Sequence, residues 1–309
     1  FLLIDLGTLL NEKLLGFNLY ILHDNNFVLY RGAEVNFTEK HRQNIIAKKL
    51  NLYIEKKEKE KYIGYLKQNL KNIVDDKNIN NKEKSKYYYQ ASRTVLAQLF
   101  SESEEVSNTK ASAEILSDTA ITILTASDFE MKNILENLQF EYTTFTHSLN
   151  VALIATIFAQ SLGMKNEKLQ SITTGALLHD IGKKEIDPKI LFKPGKLEPE
   201  EWELVKTHPV IGYNIVKTFN YDDKTIYNIV LYHHEKINGK GYPEGIKDIP
   251  IEAQVAALCD IFDALTSQRC YKNALGSFPA FKIMFNEMGD ALNRDLLAEF
   301  IKLFKDYGN

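Results

Sequence analysis

The sequence has little cysteine and no long apolar run. Its two cysteines, Cys259 and Cys270, form no C-x-x-C pair and are too few for a disulfide framework, which favours a reducing cytoplasm. No apolar stretch approaches the roughly 20 residues of a membrane-spanning helix, and the first ten residues lack the cationic start of a signal peptide. The missing initial methionine suggests a trimmed or incomplete N-terminus. We therefore expect a cytoplasmic protein without a membrane span.

The sequence also lacks an excess of positive charge. Lys and Arg number 38 against 41 Asp and Glu, which gives a formal net charge of -3 and a pI near 6.2. A protein that binds long nucleic acid through its overall charge would be strongly basic, so an anionic ligand should be small and held in a local pocket. The 309 residues are enough for about two domains, each with its own core.

Residues 1–54 predict a small α+β unit. Two strand-like runs, Phe17 to Leu22 and Phe27 to Tyr30, flank a four-residue polar turn, as in a β-hairpin. A helix is expected to start near Phe37 to Glu39, and a short strand is expected at Leu52 to Ile54.

The next segment, from Glu55 to about Glu130, is highly charged and predicts helices that connect the two parts of the chain. Its Asn- and Lys-rich stretch from Asp75 to Lys86 is typical of a solvated linker. The consecutive tyrosines Tyr87 to Tyr89 point in different directions on a helix, which favours a core or interface role over a platform for stacked bases.

Five of the seven histidines lie in the C-terminal part, where apolar-periodic helices and no convincing strand predict an all-α domain. The other two, His23 and His41, have no partners at ligand spacing and are interpreted as ordinary surface or turn histidines. The C-terminal polar residues in apolar surroundings are His147, His179, Asp180, His208, His233, His234, Asp260 and Asp263. One such histidine is usually a hydrogen-bonded core residue, but burying all of them without a metal would require many independently satisfied hydrogen bonds.

This set of nitrogen and oxygen donors suits Fe, Mn or Zn. The donors exceed what one ion uses, so a carboxylate such as Asp180 can bridge two ions, an arrangement suited to phosphoester displacement. Two points stay open at this stage. His233 and His234 diverge by about 100° on a regular helix, so one ion takes both only where the helix end is distorted. Asp260 lies among small residues that leave room for a ligand, yet its pattern also fits a solvent-exposed aspartate.

Four motifs carry a resemblance to a known family. They are H-D-I-G-K (His179 to Lys183), H-P-x-x-G (His208 to Gly212), H-H-E-x-x-N-G-x-G-Y-P (His233 to Pro243) and D-I-F-D-A-L-T-S-x-R-x-Y-K (Asp260 to Lys272). In this order they make residues 131–307 resemble an HD-GYP domain, the subgroup of HD phosphohydrolases that hydrolyses cyclic di-GMP. We expect an α+β chain overall, with an all-α HD-type domain at 126–309. Residues 1–125 would form a smaller regulatory or sensory region, made of the α+β unit and the charged helical linker.

The resemblance also implies site residues and cofactors. One metal would be held by His147, His179, Asp180 and Asp260, and the other by Asp180, His208, His233 and His234. Asp180 and Lys183 would be catalytic, and substrate would contact Lys183, Tyr242, Asp263, Arg269 and Lys272. Iron is the expected metal, with manganese and zinc as alternatives. Thr143 replaces a glutamate that accompanies a third metal in some members, so two metals are expected, and Asn238 replaces a usual aspartate with a loop-capping role.

The function implied is hydrolysis of cyclic di-GMP to linear pGpG or GMP by a hydroxide held between two metal ions, in bacterial second-messenger signalling. One alternative is a non-catalytic cyclic di-GMP receptor, which the intact set of metal-ligand residues disfavours. Another is an HD phosphohydrolase for a different substrate, such as another cyclic dinucleotide. A homodimer or a signalling-protein partner would use the N-terminal region.

Overall fold

The computed structural model describes residues 1–77, 79–100, 106–126, 143–267 and 275–305. The chain divides into two units, Phe1–Val95 and Leu96–Asn309. Helices dominate the described residues, and four short strands form one antiparallel sheet in the first unit. The expectation of an α+β chain with a helical C-terminal part is confirmed at this level.

The sheet of the first unit has the order β1-β4-β2-β3. Its strands are β1 (Leu2–Ile4), β2 (Leu19–His23), β3 (Asn26–Arg31) and β4 (Leu52–Ile54). The predicted hairpin is present, and its two turn residues, Asp24 and Asn25, have φ angles of 46° and 60°. Positive φ at both positions is what a two-residue turn between twisted strands requires, and Asp and Asn tolerate it.

Three helices begin within the first unit. Helix α1 (Glu39–Ala47) begins after Thr38, whose side chain accepts a hydrogen bond from the backbone of His41. Helices α2 (Lys59–Asp75) and α3 (Asn81–Leu99) come next. The linker predicted from Asp75 to Lys86 is therefore too long. The Asn80 side chain accepts from the Glu83 amide and starts the helix there, while the buried Ser85 shows that this polar stretch packs inward. Tyr87 to Tyr89 are all buried, which confirms their core role.

All regular secondary structure in the described residues of the second unit is helical. Its helices are α4 (Val106–Leu124), α5 (Thr144–Ser161), α6 (Asn166–Leu178), α7 (Pro188–Leu191), α8 (Pro199–Val205), α9 (His208–Lys217), α10 (Lys224–Tyr232), α11 (Ile251–Thr266), α12 (Ser277–Asn286) and α13 (Arg294–Lys305). Helix α5 packs on α6 and α11, and α10 also packs on both, so these four helices surround one core. Within the described ranges, no helix is both long and apolar enough to cross a membrane.

Helix α4 lies in the core of the second unit. Its Ala113 is fully buried in one cluster with Leu178, Val216 and Val230. The boundary between the two units consequently falls at 95/96, before the domain boundary expected at 125/126. The assignment of residues 1–125 to a regulatory region stays a prediction.

Candidate metal centre

Most candidate ligands of the centre lie where helices begin or end. His147 is in the first turn of α5, His179 directly follows α6, and His208 is the first residue of α9. His233 and His234 follow α10, and the two aspartates are placed by the turn after α6 and by α11. The five most buried of these residues are each at most 2% exposed: His147, His179, Asp180, His208 and His233. Asp260 is 9% exposed, so the buried interpretation of this residue is the correct one.

Two glycines allow the turn after α6 to meet the start of α9. A Cβ added to Gly182 would lie 2.0 Å from the carbonyl oxygen of His208 and 2.6 Å from the amide nitrogen of Gly212. Backbone atoms cannot yield as a flexible side chain can, so only glycine fits at this position. The glycines of the H-D-I-G-K and H-P-x-x-G motifs thus bring Asp180 and His208 together.

Asp180 lies at the middle of the cluster. From its Oδ1, the Nε2 atoms of His208 and His233 are 3.2 Å and 3.9 Å away, and from its Oδ2, the Nε2 atoms of His179 and His147 and the Nζ of Lys183 are 3.4 Å, 3.8 Å and 2.6 Å away. Its two oxygens face different histidines, which is the geometry needed for a carboxylate that bridges two ions.

The histidine tautomers leave acceptor atoms directed at one another. The Nδ1 atoms of His179, His208 and His233 lie 2.7 Å, 2.7 Å and 3.0 Å from backbone carbonyl oxygens, to which they donate. In this tautomer a neutral ring presents an unprotonated Nε2, and the Nε2 atoms of His208 and His233 are only 3.3 Å apart. Among the residues that the structure describes, Asp180 Oδ1 and His179 Nε2 are buried and have no hydrogen-bond partner. Facing lone pairs of this kind repel unless a cation lies among them, so the donor set fits a divalent metal ion.

His233 and His234 lie just beyond the end of α10 at Tyr232. The 100° divergence of neighbouring side chains on a regular helix therefore does not apply to them. Their ring centroids are 4.1 Å apart, and His234 Nδ1 lies 3.7 Å from Asp260 Oδ2. Two groups of candidate ligand atoms result, each with its members within 4.8 Å of one another: Asp180, His208, His233 and His234 in the first, and His147, His179 and Asp180 in the second. Asp260 Oδ1 joins the second group through His147 Nε2, which is 2.9 Å away.

Burial and the local charges together favour the protonation states that metal binding requires. Burial alone would raise the pKa of Asp180, but the charge of Lys183 and the proximity of His179 hold it well below its usual range. Burial lowers the pKa of His208, and burial together with the neighbouring imidazoles lowers that of His233 much further. At neutral pH the carboxylate is charged and the two imidazoles are neutral, ready to donate lone pairs.

Asp263, predicted to contact substrate, lies behind His147. It is 2% exposed and its Oδ2 accepts from His147 Nδ1 at 2.7 Å. Its Oδ1 accepts from Asn150 at 2.9 Å and from Ser267 at 3.1 Å. A carboxylate in this position fixes the ring and tautomer of a ligand histidine.

The other residues singled out from the sequence lie beside the cluster, in caps, or outside the described residues. Tyr242 lies beside the cluster, with its ring centroid 4.7 Å from that of His234. Arg269 and Lys272 lie outside the described residues. Asn238 keeps the capping contact, because its Oδ1 accepts from the Lys240 amide at 3.0 Å. Thr143 caps α5 by accepting from the Thr146 amide.

Three residues near the centre were given no role in the sequence analysis. Asn150 is one turn after His147, a spacing that does signal a shared helix face, and it bonds to Asp263. Glu235 holds the loop after the paired histidines, since its Oε1 accepts from the amides of Glu244 and Gly245. Trp202 contacts the ring of Tyr242 from a separate helix, and no motif marked it.

Comparisons with known proteins identify the family of this chain. The HD domain family matches residues 70–296, and the chain therefore belongs to that family. A curated relative from Thermotoga maritima, a cyclic di-GMP phosphodiesterase, is 38% identical over 184 residues, covering 58% of this chain and 50% of the relative. A 3′3′-cGAMP-specific phosphodiesterase of Vibrio cholerae is 34% identical over 161 residues, covering 52% and 35%. The chain thus spans half or less of the length of these relatives.

A solved structure shares the fold. It is an HDG"Y"P protein from Bdellovibrio bacteriovorus, with a TM-score of 0.69 over 98% of this chain and 99% of that one, at 24% sequence identity. Together with the family match and the curated relatives, it confirms the predicted HD-GYP resemblance.

Proposed function

We propose that this chain is a metal-dependent phosphodiesterase that hydrolyses cyclic di-GMP in bacterial second-messenger signalling. The observation that carries the proposal is the convergence of unprotonated histidine nitrogens on Asp180, whose Oδ1 is buried and finds no hydrogen-bond partner in the described part of the chain. Such a centre suits metal-assisted phosphoester hydrolysis. The curated relatives from Thermotoga and Vibrio are named for cleavage of cyclic dinucleotides, which points to this substrate class.

Two divalent ions, with iron preferred over manganese and zinc, are the proposed cofactors. One would be held by His147, His179, Asp180 and Asp260, and the other by Asp180, His208, His233 and His234. When bound, the ions would activate water and stabilise charge on the phosphodiester. The product, pGpG or GMP, is part of the same proposal.

The chain's own residues have distinct proposed roles around the phosphate. Lys183 Nζ, 2.6 Å from Asp180 Oδ2 and partly exposed, can stabilise negative charge on a non-bridging oxygen. Asp263 would orient His147 by accepting its Nδ1 proton. Tyr242 would bind substrate beside His234, and Arg269 and Lys272 would bind its phosphates. The region 1–125 would regulate the phosphodiesterase domain at 126–309.

A second candidate substrate is 3′3′-cGAMP, which differs from cyclic di-GMP in one base. The Vibrio relative that is specific for it is 34% identical, close to the 38% of the Thermotoga relative. The metal centre acts on the phosphodiester that both molecules contain, so the choice between them rests on base contacts.

The test is metal content together with turnover of both dinucleotides, under anaerobic conditions with added iron or manganese. We expect about two ions per chain and hydrolysis of cyclic di-GMP, with turnover abolished in Asp180→Ala. Faster cleavage of 3′3′-cGAMP would select the second candidate. Two ions without turnover of either dinucleotide would favour a cyclic di-GMP receptor, and a chain that binds no metal would overturn the proposal.

A further inference from the structure

We propose that Trp202 is the stacking surface for a purine base of the dinucleotide whose phosphodiester lies at the metal centre. This inference rests on the proposed function and concerns substrate recognition by that site. Trp202 is in α8, outside the four motifs, and it is the only tryptophan in the sequence.

One aromatic ring, that of Tyr242, lies between Trp202 and the candidate metal ligands. Tyr242 lies against His234, with centroids 4.7 Å apart and an interplanar angle of 31°. Trp202 meets Tyr242 edge to face, at 6.3 Å and 82°. The indole is therefore one aromatic ring away from a candidate metal ligand, while its own ring is not part of the ligand cluster.

The exposure of Trp202 indicates that its surface is available to a ligand. It is 46% exposed, although the neighbouring Val205 on the same helix is buried. A tryptophan in a folded domain usually buries most of its large apolar surface. An indole left half in water beside a cluster of buried polar groups is consistent with a ligand surface formed by one aromatic face and a few polar anchors.

The two aromatic rings beside the metal centre suit a purine nucleotide better than a phosphate ester that has no base. In a cyclic dinucleotide, each base is joined through one ribose to the phosphodiester, so a phosphate at the histidines places a flat base nearby. The perpendicular rings of Trp202 and Tyr242 can receive that base on one face and at one edge.

The first test uses the emission of this single tryptophan. GMP added to the metal-loaded protein should quench the fluorescence of Trp202 in a saturable way, because a stacked guanine contacts the indole. Ribose 5-phosphate carries the phosphate without the base and should leave the emission unchanged. Excitation at the red edge of the indole band, with free N-acetyltryptophanamide in parallel, corrects for absorption by guanine. No quenching by GMP, or equal effects of the two ligands, would overturn the inference.

The second test separates binding from chemistry. Stacking acts on bound substrate and transition state alike, so Trp202→Ala should raise the KM for cyclic di-GMP about tenfold with little change in kcat. Trp202→Phe should restore most of the affinity because it retains an aromatic face. Leu204→Ala is the matched control, since Leu204 is 51% exposed on the same short helix and should leave KM unchanged. Metal content should be equal in all four proteins.

The outcomes distinguish this inference from the proposed function. Normal turnover with an unchanged KM in Trp202→Ala would overturn the stacking role alone. Quenching by GMP in a wild-type protein that cleaves no cyclic dinucleotide would support the base site and overturn the hydrolysis. If Trp202→Ala instead dissociates an oligomer of the wild type and keeps the same KM, the exposed indole serves a protein interface and the inference is wrong.

Discussion

Histidines of the two units differ in what their ring nitrogens contact. In the first unit, His41 Nδ1 accepts from the Thr38 amide at 3.1 Å as part of a helix cap, and His23 is a largely exposed residue beside Asp24. In the second unit, the Nδ1 atoms of His179, His208 and His233 donate to backbone carbonyl oxygens three or four residues earlier in the chain. Their Nε2 atoms are left facing Asp180.

The same contrast holds for buried carboxylates. Glu58 in the first unit is 5% exposed, and its oxygens are compensated by the Asn18 amide at 3.3 Å and the Lys61 amine at 3.7 Å. Asp180 in the second unit has histidine acceptors around it, and its Oδ1 has no hydrogen-bond partner within the described ranges. Burial is similar at the two sites, so the difference lies in whether the surroundings satisfy the polar atoms or leave them for a cation.

The strongest test of the comparison exchanges one histidine from each unit for alanine. His208→Ala removes a candidate ligand and should reduce cyclic di-GMP turnover by at least about 100-fold, with loss of one bound ion. His23→Ala, whose side chain is 69% exposed, should change neither quantity. Metal analysis and steady-state kinetics on both variants make the check. Equal behaviour of the two proteins would remove the distinction between ligand and ordinary histidines.

A smaller effect is expected from Asp263→Asn, which weakens the support of a ligand and keeps the ligand itself. The amide has only one oxygen, so it cannot serve both His147 and the Asn150–Ser267 pair as the carboxylate does. Metal affinity should fall about 10- to 100-fold, and competition with a chelator measures it.

The control for this variant is Asp118→Asn, on the exposed surface of α4 in the same unit. It should retain the wild-type affinity. An unchanged affinity in Asp263→Asn would contradict the orienting role and leave only the predicted contact with substrate for this residue.

In protein treated with a chelator, the buried imidazoles should make the free energy of unfolding depend on pH. Burial lowers the pKa of His208, His233 and His234 in the folded state, so below the unfolded value of about 6.5 the unfolded chain binds more protons. The free energy of unfolding should therefore fall from pH 7.5 to 6.0, by up to about 0.8 kcal/mol for each histidine.

The lowered pKa values of Asp180 and Asp260 affect the free energy of unfolding in a lower pH range. Their stabilising contribution is present above an unfolded pKa near 3.9 and is lost only as the pH falls below it. Urea unfolding at pH 7.5 and 6.0 thus isolates the histidines. A higher unfolding midpoint at pH 6.0 would show that these rings are not held neutral.

The sequence predicted those parts of the site that lie in short, ordered motifs. His179, Asp180 and the glycine at 182 are adjacent in the chain, so one motif implies both the ligands and the tight turn that positions them. The sequence left open whether His233 and His234 both reach the centre, and the end of α10 at Tyr232 is what the structure adds. Spacing alone could not decide the exposure of Asp260, because a helix face of small residues around an aspartate fits a ligand site and a solvent-exposed surface equally well.

Contacts between distant segments were beyond prediction from sequence patterns. Asp263 is 116 positions from His147, and nothing in either segment indicates that its carboxylate faces the histidine and not the substrate. Trp202 meets Tyr242 only because α8 and the loop after α10 are neighbours in space. The linker error had a local cause, since Asn and Lys content concealed the cap at Asn80.

The smallest expected effect concerns a polar contact of the first unit that needs no metal. Thr38→Ala removes the side chain that accepts from the His41 amide at the start of α1, and it should cost about 1 kcal/mol of unfolding free energy. Thr38→Ser keeps the hydroxyl and should restore most of that loss. Metal content should stay at the wild-type level in both variants, because this contact is complete within α1 and its cap. A loss of bound metal in Thr38→Ala would mean that the polar contacts of the first unit also support the metal centre, and the contrast between the two kinds of histidine would no longer follow the division of the chain.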